Sequence, residues 1–174
     1  MPTSEQDKNR AKAKNYAYLL LRNRPRSRQE LCERLKLKGY DDAIVDIVLA
    51  DLIRAGQIDD GKFAKFLVDS RMHMNPVGDV VLKHQLKRKG VSDAVIEAAL
   101  AAKGETYDEH KVALEMAGER FARLKKLDRR KATKRIYDFL LRRGFKYDTI
   151  RAVIDEIAKG QGSRVKEQGQ DDNE

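Results

Sequence analysis

The apolar positions along the chain fall into a pattern that occurs three times. Leu31 and Leu35 stand eight and four residues before Gly39, Leu82 and Leu86 before Gly90, and Ile136 and Leu140 before Gly144. Basic residues come just ahead of each glycine, and an apolar residue, Tyr40, Val91 or Phe145, follows directly. Apolar positions at i and i+4 share one helix face, and cations suit the negative end of the helix dipole. Glycine adopts the left-handed conformation of a helix stop at little cost. The pattern therefore predicts three helices, each ending at a glycine.

A second stripe follows each glycine: Ile44, Val45, Val48, Leu49; then Val95, Ile96, Ala99, Leu100; then Thr149, Ile150, Val153, Ile154. Spacing of i, i+1, i+4, i+5 describes a helix with one buried face. A further helix precedes each glycine-ended one, carrying Tyr16, Leu19 and Leu20, then Phe63, Phe66 and Leu67, then Leu114, Ala117, Phe121 and Leu124. Ser27 with Glu30 has the form of a capping box, Asp41 and Ser92 are placed to cap the last helices of their units, and Asp59 and Asp60 to open the Phe63 helix. Tyr40 and Phe145 are expected to pack back onto the helices they follow.

The fold class expected is all-α, three tandem three-helix repeats forming an elongated, curved molecule, because units of this size bury little alone and gain by stacking. The boundaries expected are a flexible N-terminus at 1–10, repeats at 11–56, 57–104 and 105–159, and a disordered tail at 160–174. The loop 72–77 is set by Pro76, which disfavours helix at the residue before it.

These motifs resemble the RecX family. The resemblance is densest from Ile58-Asp-Asp-Gly-Lys-Phe63 through Arg71 and Gly78 to Leu86-Lys-Arg-Lys-Gly90-Val91. It extends to Phe139-Leu-Leu-Arg-Arg-Gly-Phe145 and to Arg26-Ser27-Arg-Gln-Glu30-Leu31 with Leu35 and Gly39, in all from about residue 14 to 158. The sequence departs from the family at Gln85, where a Glu is usual, and in the loop 72–77, which lacks the usual basic character. The resemblance implies a modular regulator that lodges along the RecA filament and inhibits its ATPase, filament extension and strand exchange. It would thereby modulate recombinational DNA repair and the SOS response, with no chemistry or cofactor of its own.

Charge bears on how such a protein would bind. Lys and Arg number 37 against 28 Asp and Glu, a net charge of +9. The excess is uneven: residues 27–38, 78–89 and 132–143 of the middle helices sum to +8, while 41–54, 92–103 and 147–158 of the last helices sum to −6. A reader of the DNA major groove would present a basic or neutral recognition helix. The acidic last helices, with Asp42, Asp46, Asp51 and Asp93, argue against one. The candidate partner-binding residues are Arg34, Lys38, Lys83, Lys87, Arg88, Lys89, Arg142 and Arg143 on the middle helices, with Lys125, Lys126, Arg129 and Arg130 from a run at 120–135 holding nine cations and one Asp. Each lone cation near a helix end also has a plain use against the dipole, about 0.3–1 kcal/mol. The threefold repetition favours a surface.

Chemistry of other kinds finds little footing. His73, His84 and His110 are too scattered for a helical metal pair, and the single cysteine, Cys32, sits among packing residues. No phosphate-cradling glycine loop is present, and Asp59 and Asp60 suit a cap better than an acid–base pair. Phe63, Phe66, Phe121 and Phe139 are at core spacing. The hydrophilic start and the lack of a long apolar run lead to a cytoplasmic protein, expected to be a monomer, bound to no membrane. Beside a RecA-filament regulator stands the alternative of a helical module that binds single- or double-stranded DNA without sequence preference. A helical adaptor for some other acidic partner is a third reading.

Overall fold

The structure is a computed structural model that describes residues 4–124 and 126–167. Among the described residues it contains nine helices and no strand: α1 (Ser4–Asn23), α2 (Arg28–Leu37), α3 (Asp42–Arg54), α4 (Asp60–Met74), α5 (Asp79–Arg88), α6 (Asp93–Thr106), α7 (Glu109–Ala122), α8 (Arg129–Arg142) and α9 (Tyr147–Glu167). They follow one another as three three-helix repeats, as the glycine grammar predicts. Contacts divide the chain into two compact units, residues 1–71 with 83–102, and residues 72–82 with the chain from Lys103 onward.

Each middle helix ends as expected. Gly39, Gly90 and Gly144 have φ of 92°, 72° and 79°. The amide after each glycine donates to the carbonyl five residues back: Tyr40 to Leu35 at 3.3 Å, Val91 to Leu86 at 3.2 Å, Phe145 to Leu140 at 3.2 Å. The glycine amides donate to Lys36, Lys87 and Leu141, all at 2.9 Å. This paired closure satisfies carbonyls that a helix end otherwise leaves open. Ser27 Oγ accepts from the Glu30 amide at 3.1 Å, and Asp59 Oδ1 from the Lys62 amide at 3.0 Å, so both caps form. Asp41 occupies the cap position of α3 without a side-chain cap bond. Cys32 packs at the edge of the core of the first repeat, and Phe145 is buried in that of the last.

In the first unit Leu31, Leu35, Val45, Val48, Leu49, Leu52 and Ile58 form one core with Ala13 and Ala17. Of the residues expected on the buried face of α1, Tyr16 and Leu20 pack against this core and Leu19 is exposed; Ala13 and Ala17 are its fully buried positions, since small side chains let helices approach closely. Likewise α4 buries Phe63, Ala64, Val68 and Met72, while Phe66 faces outward. In the second unit Ala113, Ala117, Ile136, Leu140, Phe145, Ile150 and Val153 form the core.

Three segments are more helical than expected. The expected flexible start is helical from Ser4, with Glu5 and Asp7 in a favourable first turn and Arg10 paired with Asp51 of α3. Residues 1–3 lie outside the described residues. Helix α6 runs through Gly104 to Thr106 instead of breaking there, and Lys103 within it is buried. Helix α9 continues to Glu167, since an established helix adds a backbone hydrogen bond with each residue. The rest of the expected tail, 168–174, lies outside the described residues.

Candidate partner-binding surface

The middle helices have similar charge in sequence and different charge in space. In the first repeat Lys36 pairs with Asp42 at 2.9 Å, across the glycine turn. In the second, Lys87 pairs with Asp93 at 2.9 Å across the equivalent turn, and Lys83 pairs with Glu97. These bonds raise the Lys83 ammonium above its ordinary value and lower the Asp93 carboxyl, the side-chain hydrogen bond being the leading cause of each shift. The basic middle helix and the acidic last helix therefore neutralise one another within these repeats. Lys89 is also taken, bonding Glu30 at 2.7 Å, while Lys38 lies 5.7 Å from the Tyr16 ring centre. Arg34 and Arg88 are exposed and make no ion pair with the described residues.

In α8 the same positions lack these partners. Leu141 and Tyr147 stand where Lys87 and Asp93 do, and Tyr137 and Arg151 where Lys83 and Glu97 do. The helix buries Ala132, Ile136 and Leu140 and turns Arg130, Lys131, Lys134, Arg135 and Arg142 to solvent, with no ion pair to the described residues. Its only acid is Asp138, and no acid stands in its first turn. Cations there oppose the positive end of the helix dipole, each by about 0.3–1 kcal/mol. Asp128 caps the start, accepting from Arg130 and Lys131 amides at 3.0 and 3.3 Å. Arg129 donates to the Ala158 carbonyl at 2.6 Å.

Two hollows flank this helix. An open trough of about 560 Å3 is lined by Arg129, Arg130, Thr133, Lys134, Tyr137 and Ile154. A second hollow, about 530 Å3, includes Arg120, Arg123, Arg143, Phe139, Tyr107 and Met116. Phe139, expected in the core, packs against it as a half-buried ring, with the Arg120 guanidinium 4.4 Å and the Arg143 guanidinium 5.3 Å from its centre. Arg143 also bonds Asn75 and the Pro76 carbonyl, the latter at 3.2 Å, so it is less free than its position suggested. Lys126 is exposed, and Lys125 lies outside the described residues.

Residues 13–52 match the family model described as RecX, first three-helix domain, residues 59–100 the second three-helix domain, and residues 107–154 the third. The chain belongs to the RecX family. Among RecX relatives, "Regulatory protein RecX" of Chlorobium phaeobacteroides is 36% identical over 146 residues, covering 84% of this chain and 93% of the relative. That of Amycolatopsis mediterranei is 33% identical over 152 residues, covering 87% and 86%. The crystal structure of RecX from Lactobacillus salivarius has the same fold, with a TM-score of 0.77 and 24% identity over 87% of this chain and 98% of that one. Among the described residues, no helix is long and apolar enough to cross a membrane.

Against the RecX repeats, the candidate cations divide unequally. Lys83, Lys87 and Lys89 are held by carboxylates, Lys38 lies by Tyr16, and Arg34 and Arg88 stand singly. Arg130 and Arg142 belong to the open face of α8. That face also includes Lys131, Lys134 and Arg135, which were left off the sequence-based set although they lie in the same basic run. The signal for them was the loss of the six-residue Lys-to-Asp spacing across the third glycine turn.

Proposed function

We propose that this RecX protein regulates the RecA recombinase by binding its filament, inhibiting ATP hydrolysis, filament extension and strand exchange without catalysing a reaction itself. The observation that carries the placement of contact is the unneutralised face of α8, since charges already paired within the protein have little left to offer a partner. Arg130, Lys131, Lys134, Arg135 and Arg142 are the cations assigned to an acidic surface of the filament, with the exposed Lys126 just ahead of them in sequence. The domain limits proposed are those of the three repeats, and the working state is a cytoplasmic monomer.

The test is ATP hydrolysis by RecA assembled on single-stranded DNA, with substoichiometric amounts of this protein and a large excess of DNA. Inhibition that persists in excess DNA is the expected result. Inhibition relieved by DNA would replace this reading with the second one, a module that binds DNA without sequence preference. One feature favours that second reading: the trough places Tyr137 beside Arg129, Arg130 and Lys134, a stacking ring next to phosphate-binding cations. It predicts binding to DNA alone with a steep salt dependence.

A further inference from the structure

The last two glycine turns have one backbone and different side chains. The Gly90 and Gly144 amides both donate three residues back at 2.9 Å, and the Val91 and Phe145 amides five residues back at 3.2 Å. The helices that follow also open alike, Ile96 donating to Ser92 and Ile150 to Lys146, each at 3.0 Å. The two places bridged by Lys87 and Asp93 in the second repeat are therefore held in the third by Leu141 and Tyr147, and those bridged by Lys83 and Glu97 by Tyr137 and Arg151. Where α5 and α6 are tied by two ion pairs, α8 and α9 present an apolar pair and a ring beside a cation. Leu141 is 51% and Tyr147 60% exposed.

The trough of about 560 Å3 continues from this apolar end. Along α8 the groove runs from Leu141 through Tyr137 to Lys134 and Arg130, and along α9 from Tyr147 through Arg151 to Ile154, residues one turn apart on facing sides of the two helices. Arg130, Lys134 and Arg151 are exposed and make no ion pair with the described residues. Asp138, Asp148 and Asp155 each directly follow a groove residue, so they lie about 100° further round their helices. The groove is apolar at the glycine turn and positive at its other end, about 16 Å away along α8.

We infer that the groove between α8 and α9 docks one helix of a partner protein, with apolar side chains over Leu141 and Tyr147 and Asp or Glu two to three turns along, facing Lys134 and Arg130. A cleft between two helices suits the apolar face of a third, and cations without carboxylates of their own complement its acids. A DNA strand carries phosphate along its whole length and would set part of it against Leu141 and Tyr147. The inference rests on the assignment of α8 to a partner protein and adds the kind of segment recognised.

The test installs the ion pair of the second repeat, Leu141→Lys with Tyr147→Asp. This keeps the net charge and uses a pair that the fold already accommodates across the Gly90 turn. Inhibition of RecA ATP hydrolysis in excess DNA should then need about 10-fold more protein, at unchanged helical circular dichroism. Leu37→Ser, at a more exposed leucine of the first repeat, should change nothing. Full inhibition by the double variant overturns the inference and leaves the RecA reading standing, whereas a natural chain that fails to inhibit removes the RecA reading. The groove is then read alone by fluorescence anisotropy, with a lactam-bridged helical peptide of about 15 residues carrying two Leu one turn apart and Glu two turns further on. It should bind the natural chain and not the double variant; equal binding to both, or to neither, overturns the inference. So does a dimer of the natural chain in sedimentation velocity that the double variant dissolves, which would give the groove to a second copy.

Discussion

Helices α5 and α8 occupy the same place in successive repeats, and they spend their charge differently. The acid at the start of α5, Asp79, is drawn inward to the buried Lys103 at 2.7 Å and to Lys146 at 3.0 Å, while its cations reach the acids of α6. Helix α8 has only Asp138 among its acids and leaves its outward cations without carboxylates. A charge that closes a joint supports the fold, and one that meets only water is available to another molecule. The difference shows why a count of charges per helix is a poor map of a binding surface.

The comparison breaks first at Asp79. Burial by itself would raise this carboxyl, but the neighbouring ammonium groups of Lys103 and Lys146 hold it below its ordinary value. Lys103 Nζ and Asp79 Oδ1 are close enough to attract yet not aligned as a hydrogen bond. Glu109 lies further from Lys103, at 3.6 Å. Asp79→Ala leaves a lysine that is 2% exposed with one distant partner, and should cost about 3 kcal/mol in urea unfolding.

Glu30, the first-turn acid of α2, gives a second test. Burial opposes its ionisation, but hydrogen bonds from Arg24, at 3.0 and 3.1 Å, and from Lys89 bring the carboxyl down to about 2. The unfolded carboxyl titrates near 4.5, so the stabilisation is complete above that pH and is lost as pH falls through the folded value. It amounts to roughly 2–3 kcal/mol. Unfolding midpoints measured from pH 6 down to 2.5 should fall for the natural chain, and Glu30→Gln should remove that part of the slope.

The function assigned to α8 is sharpened by charge reversal. Arg130→Glu, Lys134→Glu and Arg135→Glu together should weaken inhibition of RecA by about 10-fold or more at unchanged helical circular dichroism. Neutralising the paired cations of α5, Lys83→Gln with Lys87→Gln, loses only exposed pairs and should leave inhibition within about twofold. Equal losses from the two helices would end the distinction drawn between them.

The helix ends were legible because their chemistry is local: a glycine, the apolar residue after it and a capping Ser or Asp within a few residues. Ala13 and Ala17 were missed because alanines inside a charged run carry no strong apolar period, and only helix packing selects them. Phe139 has core spacing yet sits between two guanidiniums contributed by different turns of chain. Lys103 was hidden for a similar reason, since nothing in its neighbourhood in sequence predicts burial of an ammonium. The pairing of Lys36 with Asp42 and of Lys87 with Asp93 was readable as one spacing repeated twice. It lost its force beside a tally that treated all cations alike.

The course of α6 through Gly104 bears on how this chain can be cut. A fragment begun after that glycine would keep all three helices of the last repeat. It would lose Lys103 and the segment from Met72 to Leu82, which belongs to the same compact unit. Glu109 would lose its buried cation, and the Arg143 and Gly144 carbonyls would lose the amides that now cover them. The unit of sequence repetition and the unit of compact packing are thus offset from one another. A fragment trimmed to the motif should be far less stable than one that also carries the end of its predecessor.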